Sequence, residues 1–308
     1  MSVLNSPMLV SANGRPFVCY LKQSTVWRAC VVKAMVKIKL SFVILNYKTK
    51  HLLRLVLRNL QNLQLSLPHE VIVVDNASGD GSAQMVQRLY PDVRLIVSPV
   101  NTGHAKGNNL GITQAVGEYV VIMNSDIIFF DQQDIVRMVA YLDSHPEVAL
   151  LGPQLRNADD TIQYSCFRPY SLFTPVYRRT PLGRLSFAQK DLAQHLMVDF
   201  DHQEVREVDW LLGAALMARK QVLDTLGAFN EQFFLYFADY ELCDRIRFHG
   251  YKVVYYPDVH IVHYHRRESA QKSFWGGIGS VFNYTTRIHM KDWWIYLRIN
   301  QRGYASHS

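Results

Sequence analysis

The chain has 308 residues, 49% of them apolar, enough for a full hydrophobic core in one large α/β domain or two modest ones, which excludes a disordered protein. Its formal charge of +7 sits at the ends: residues 1–39 hold six basic and no acidic side chains, residues 266–308 seven and two, and residues 40–265 twenty and twenty-four. Basic ends interleaved with aromatics suit an anionic membrane surface, and without a groove-reading motif nucleic acid is not an expected partner.

From the N-terminus, residues 1–34 carry no acid and precede Met35. They read as a flexible basic arm, a targeting-like extension or the product of an upstream start codon, and residues 1–39 are set outside the fold. From Leu40 the expected order is strand (40–46), helix (49–63), strand (70–75), helix (80–89), strand (93–98), helix (104–116), strand (118–123), helix (132–144) and strand (147–151). This alternation predicts a mostly parallel sheet with helices on both faces. Leu52, Leu53, Val56, Leu57, Leu60 and Leu63 fall at helical spacing and place one face of the first helix on that sheet.

Residues 152–208 lose periodicity and gather Pro, Arg and aromatics, as in RPYSLFTPVYRRTPLGR, which suggests a functional loop such as an acceptor lid. Regular structure resumes with a strand over 213–218, a helix over 220–226 closed by Gly227, and a helix over 239–248 closed by Gly250. Strands are expected at 252–256 and 259–262, followed by an aromatic, basic segment, 274–298. That segment is either a membrane-binding amphipathic tail or a helix packed on the body. No stretch approaches the roughly 20 apolar residues of a spanning helix, so membrane contact is expected to be peripheral. Cys19, Cys30, Cys166 and Cys243 form no C-x-x-C, so a reducing cytoplasm fits, with the chain on the inner face of the cell membrane.

The strands ending at Asn46, Asp75, Asn101 and Asn124-Ser125-Asp126 would place their polar termini along one sheet edge, where open α/β sheets bind ligands. Asp75 opens D-N-A-S-G-D-G-S; a carboxylate there can accept hydrogen bonds from the imide or ribose of a nucleotide, while Asp80 reads as a helix N-cap. No G-x-G-x-x-G or Walker loop follows the first strand. The turn N-T-G-H-A-K-G-N-N is either a phosphate cradle, with Lys106 adding charge, or an ordinary Gly-rich turn, and His104 reads as packing. Asn124-Ser125-Asp126 resembles a D-x-D motif with Asn first, and Asp126 suits Mg²⁺ or Mn²⁺ beside a leaving diphosphate. Asp239 either caps its helix or acts as a base, and Glu241 can pair with Arg245 at i, i+4. Of the three histidines in His260-Ile261-Val262-His263-Tyr264-His265, His263 and His265 would share a strand face.

Taken in order, NY, VIVVDNASGDGS, NTGHAKGNNLGI, MNSD, VDWLLGAALMARK, LGAFNEQFFLYFADYELCDRIRFHG and IVHYH resemble family 2 glycosyltransferases of the GT-A fold, nearest to bacterial rhamnosyltransferases of O-antigen and cell-wall polysaccharide assembly. The resemblance spans about residues 40–270, leaving 271–308 as the tail. It implies that Asp75 binds the nucleotide base, that Asp126 and His263 serve metal and diphosphate, and that Asp239 is the catalytic base. It further implies that Trp210 and Gly213 flank donor sugar or acceptor. Asn46, Asn101, Asn109 and Asn124 would follow the donor groove with Lys106, Glu241 and Arg245. The family's E-D-x-D is Ala238-Asp239-Tyr240-Glu241 here, which leaves the base open between Asp239 and Glu241. The implied reaction is inverting transfer from a nucleotide-diphosphate sugar, dTDP-rhamnose before a UDP-sugar, to a lipid-linked glycan. A non-catalytic sugar-nucleotide-binding subunit is the alternative, which Ala238 allows. A nucleotidyltransferase would need a basic Gly-rich loop where Asn46-Tyr47-Lys48 stands.

Overall fold

The computed structural model describes residues 17–23, 26–32, 37–178, 180–264 and 284–302. The chain divides into two units, Met1–Lys37 and Ile38–Ser308. In the first, Phe17–Gln23 and Val26–Val32 pair antiparallel, so part of the basic extension is a hairpin.

The second unit starts with β1 (Leu40–Asn46), α1 (Lys50–Asn62), β2 (His69–Asp75), α2 (Ser82–Leu89), β3 (Arg94–Val97), α3 (Gly103–Gln114) and β4 (Tyr119–Asn124). A short β5 (Ile127–Ile128), α4 (Gln132–Ser144) and β6 (Val148–Arg156) follow. Beyond an irregular insert holding α5 (Ser186–His195) come β7 (Ala215–Arg219), α6 (Lys220–Leu226), α7 (Ala238–Phe248), β8 (Lys252–His263) and α8 (Tyr284–Arg302). The main sheet runs in the order Arg206–Glu207, β8, β6, β7, β4, β1, β2, β3, with β5 on β8 and Ile162–Gln163 on β6. Strands β4, β1, β2 and β3 are parallel, β6 and β8 are parallel, and β7 runs antiparallel between the two groups.

Both sheet faces are covered, which is why the strands read as unbroken apolar runs. Phe42 and Ile44 pack with Leu53, Val56, Leu57 and Leu60 of α1, the stripe that its spacing predicts. Val43, Ile72, Val120 and Ile122 face the opposite cluster, which includes Ala105 and Ile112 of α3. Burying each such side chain contributes roughly 1.5–3 kcal/mol before the entropy of ordering it. Helix α3 has little apolar surface and approaches the sheet through glycine: a Cβ on Gly107 would lie 2.6 Å from Leu45 and one on Gly111 2.4 Å from Val43.

Three expectations are corrected. Strand β6 runs on to Arg156 through Pro153, which lies past Leu150 and Leu151, the stretch that pairs with β7, so its missing N–H leaves no ladder bond unmade on that side. The two C-terminal strands are one, β8, with an irregularity between Tyr256 and His260 around Pro257. Residues 152–208 contain Cys166–Phe167 paired to Trp210–Leu211, single turns at Thr174–Tyr177 and Pro181–Arg184, and α5. Among the described residues no helix is long and apolar enough to cross a membrane.

Candidate active site

The carboxyl ends of β1, β2 and β4 lie side by side: Asn46 is level with Asp75, and Leu45 with Asn124. One chain of polar side chains crosses all three. Ser78 N–H donates to Asp75 Oδ1 (2.8 Å), Asn46 Nδ2 to Ser78 Oγ (2.9 Å) and Thr49 Oγ1 to Asn46 Oδ1 (2.7 Å), and Ser125 Oγ lies 2.6 Å from Thr49 Oγ1. Asp80 is not the N-cap of α2; that position is Gly81, at φ 83°, while Asp80 accepts from Ser82 N–H and from Lys50 N–H at the start of α1.

Two cavities open along this edge. The larger, about 810 Å³, is lined by Asn124, Asp126, Trp210, Gly213, Asp239 and His263, together with His104 and residues of the insert. The other, about 700 Å³, is lined by Asp75, Ala77, Ser78 and Gly79 with Lys50, His51, Arg54 and Arg88 of α1 and α2. Asp126 and Asp239, far apart in the chain, thus share one cavity, whereas Asp75 sits in its neighbour. Asn46, Asn101, Asn109, Lys106, Glu241 and Arg245 line neither.

Those six are engaged elsewhere. Asn101 Oδ1 accepts from Asn76 Nδ2 and Gly103 N–H. Asn109 exchanges two bonds with the Phe229 backbone, and Lys106 Nζ stands 3.7 Å from Glu231 at the surface. Glu241 and Arg245 form a buried bidentate pair (2.9 and 3.1 Å), and the guanidinium also donates to the carbonyls of Leu226, Gly227 and Ala228. The pair ties α7 to the turn after α6. Glu241 is therefore out of reach of the cavity that Asp239 lines.

Asp239 does not cap α7 either; Phe237, at φ 63°, occupies that place. Gly213 N–H donates to Asp239 Oδ2 (2.9 Å) and Tyr240 N–H to Oδ1 (2.9 Å), fixing the carboxylate's orientation. A Cβ on Gly213 would lie 3.2 Å from Asp239 Cβ and 3.4 Å from His104 Cε1, so the turn before β7 passes Asp239 with no room to spare. The loop before α7 is clamped from α8: buried Asp292 accepts from the N–H groups of Phe234 (3.3 Å), Leu235 (3.0 Å) and Tyr236 (2.9 Å). On its other side, His104 N–H donates to Phe234 O (2.5 Å).

His104, read from sequence as packing, is a cavity residue. Burial pushes its imidazole below the ordinary histidine range, against the pull of nearby Asp239, and Asn108 Nδ2 lies 3.2 Å from Nε2. Burial thus favours the uncharged ring beside Asp239. Asp292 was missed because its partners lie more than fifty residues away in sequence. His104 sits on a strand-to-helix turn at the binding edge, and that position was its one visible signal.

Asp126 Oδ1 is buried, accepts no hydrogen bond, and lies 3.4 Å from His263 Nε2, whose Nδ1 stands 3.0 Å from Gln163. An orphaned carboxylate oxygen beside an imidazole is a donor set that a divalent cation fits, given further oxygens from a diphosphate and water. No cluster of three His, Cys, Asp or Glu is found among the described residues, so the protein would supply only part of the coordination. Trp210 is buried, its Nε1 donating to Arg168 O (3.1 Å), with Phe167 stacked on it at 4.2 Å. Tyr170 packs beside it, its hydroxyl pushed up to about 12 by burial.

One of the two readings of the aromatic tail is met over α8. Ile288, Asp292 and Tyr296 are buried against the body, and Tyr296 donates to Asp244 (3.2 Å), while Trp294 is exposed with Arg298 over its ring. His265, Phe274, Trp275 and Phe282 lie outside the described residues.

A sequence profile described as Glycosyl transferase family 2 matches residues 41–195. The N-acetylglucosaminyl-diphospho-decaprenol L-rhamnosyltransferase of Mycobacterium tuberculosis is 27% identical over 222 residues, 66% of this chain and 69% of its own. Rhamnosyltransferase WbbL of Escherichia coli is 24% identical over 246 residues, 74% of this chain and 86% of its own. In fold the chain is similar to the mannosyltransferase PcManGT of Pyrobaculum calidifontis, solved with GDP-Man and Mn²⁺ (TM-score 0.50, 21% identity, 76% of this chain and 59% of that one). It is also similar to GalNAc-T7, solved with UDP, GalNAc and Mn²⁺ (TM-score 0.55, 13% identity, 83% and 49%). The chain thus spans less than two thirds of either solved neighbour.

Proposed function

As the chain belongs to glycosyl transferase family 2 and has a GT-A type sheet, we propose that it is an inverting, metal-assisted hexosyltransferase that moves rhamnose from dTDP-rhamnose to a hydroxyl of a lipid-linked glycan in bacterial surface polysaccharide synthesis. A UDP-sugar is the second choice of donor. The reading is carried by the placement of Asp239 on the same cavity as Asp126 and His263, its carboxylate held by Gly213 and Tyr240. The names of the two rhamnosyltransferase relatives support rhamnose as the transferred sugar, and the name of the first supports a lipid-linked acceptor.

In this scheme the acceptor hydroxyl gives its proton to Asp239 while its oxygen bonds to C1 of the donor sugar. The C1–O bond to the diphosphate breaks on the opposite face, and the diphosphate leaves with the electron pair. Single displacement inverts the anomeric centre and needs one base. Asp126 and His263 would hold Mg²⁺ or Mn²⁺, which supplies charge neutralisation for the leaving diphosphate. Neutral His104 lines the wall beside Asp239 without adding positive charge that would weaken a base. Asp75 receives the nucleotide base in the adjoining cavity, and the Asp75–Ser78–Asn46–Thr49–Ser125 chain fixes the spacing between base and sugar. The enzyme works at the membrane's inner surface, where such an acceptor is presented.

The test is Asp239→Asn. Turnover should fall roughly 10²- to 10⁴-fold, while the nucleotide sugar still raises the melting temperature in the presence of Mn²⁺. Full turnover in that variant would remove Asp239 from the base role.

A further inference from the structure

The insert between β6 and β7 brings two arginines to the cavity wall along with Asp239 and Asp126. Arg178 follows the single turn Thr174–Tyr177 and Arg184 ends the turn Pro181–Arg184, and both line the 810 Å³ cavity. Arg178 Nη1 donates to Tyr170 OH at 3.2 Å. Among the described residues neither guanidinium is paired with a carboxylate, in a cavity whose other charged walls are acidic. Two guanidinia presented without counter-ions fit an anion with several oxygens.

The outer face of the same segment is apolar and uncovered. Phe173, Leu182, Leu185 and Phe187 are 45% to 59% exposed. The rings of Phe173, Tyr177 and Phe187 form one run, with centroids 6.1 and 5.9 Å apart. A contiguous exposed aromatic run beside a site is an interaction surface. Charge on the cavity side and hydrocarbon on the outer side, within sixteen residues, match an amphiphile with a diphosphate head and a long apolar chain.

We propose that residues 172–178 and 180–187 form the acceptor subsite, in which Arg178 and Arg184 bind the diphosphate of a lipid-diphosphate acceptor and Phe173, Tyr177 and Phe187 seat the first part of its hydrocarbon chain. The inference rests on the glycosyltransferase reading given above and adds to it where the acceptor's head and chain lie.

Titration calorimetry on the full chain tests it with geranyl diphosphate, inorganic diphosphate and dTDP as probes. Arg178→Gln with Arg184→Gln should weaken geranyl diphosphate at least about tenfold and leave dTDP unchanged. Phe173→Ser with Phe187→Ser should weaken geranyl diphosphate but not inorganic diphosphate. All four positions are at the surface, so melting temperatures should match the parent chain. Unchanged geranyl diphosphate affinity in the arginine pair overturns the proposal. So does an equal loss for dTDP, which would give the arginines to the donor. A phenylalanine pair that changes only co-sedimentation with anionic vesicles also overturns it, by making the surface a bilayer contact. Asp239→Asn separates the two readings: it should cut turnover as stated above and leave geranyl diphosphate binding intact, so either can fail without the other.

Discussion

The turn after β2 and the turn before α7 both deliver a carboxylate to the same sheet edge, but they are held in different ways. In the first, Asp75, Ser78, Asp80 and Ser82 bond within three residues of one another, with Asn46 and Lys50 completing the set from the neighbouring loop. In the second, Phe234, Leu235 and Tyr236 hang on Asp292 of α8, and the carbonyl of Phe234 takes the N–H of His104 from α3. The first turn is nearly self-sufficient. The second is assembled from three distant segments, so the position of Asp239 depends on the integrity of the whole domain.

Breaking the distant clamp should therefore have the largest effect. Asp292→Ala leaves three loop N–H groups without their acceptor and should cost roughly 2–4 kcal/mol in urea unfolding. It should also lower turnover with little change in donor affinity, and Asp292→Asn should fall between. Undiminished turnover per folded molecule would show that the loop keeps Asp239 in place without α8.

Gly103→Ala attacks the same turn from α3. Gly103 has φ 82° and a Cβ there would sit 2.3 Å from Phe234 O, so a loss of at least roughly 1–3 kcal/mol is expected, read by thermal melting. The local turn should respond differently. Ser78→Ala strands Asn46 Nδ2 and Lys48 N–H, costing about 1–2 kcal/mol, and should raise the donor KM more than it lowers kcat. A kcat loss as large as that of Asp292→Ala would erase the contrast between the turns.

The smallest effect is with pH. His195 is pushed down to about 4, first by burial and then by the charge of Arg178, and burial also lowers His104 and His202. The unfolded chain then binds protons that the folded one refuses, so stability is full above the ordinary histidine value near 6.5 and declines as pH falls below it. Between pH 8 and pH 6 each histidine should account for less than about 1 kcal/mol. His195→Asn should flatten the profile, measured by urea midpoints.

The contrast also explains what could be read from the chain alone. The parallel strands and the apolar face of α1 were legible because their signals are local and periodic, and the polar strand ends marked the edge. The family asparagines were legible as a pattern but not as partners. Asn46, Asn101 and Asn109 spend their amides on loops and backbone, which spacing cannot reveal. Asp239 and Glu241 stand two residues apart on α7 with opposite fates, because a half-turn of helix sends one to the cavity and the other to Arg245. Where the family has an acid, Ala238 is buried in the core, so its small size suits a packed position.

The bare face of α3 has a mechanical consequence. With Gly107 and Gly111 resting on Leu45 and Val43, nothing compressible separates the helix from the strands beneath. Any change in sheet twist must then carry the helix along as a rigid lever, with His104 at its tip, and the cavity wall inherits the stiffness of the sheet.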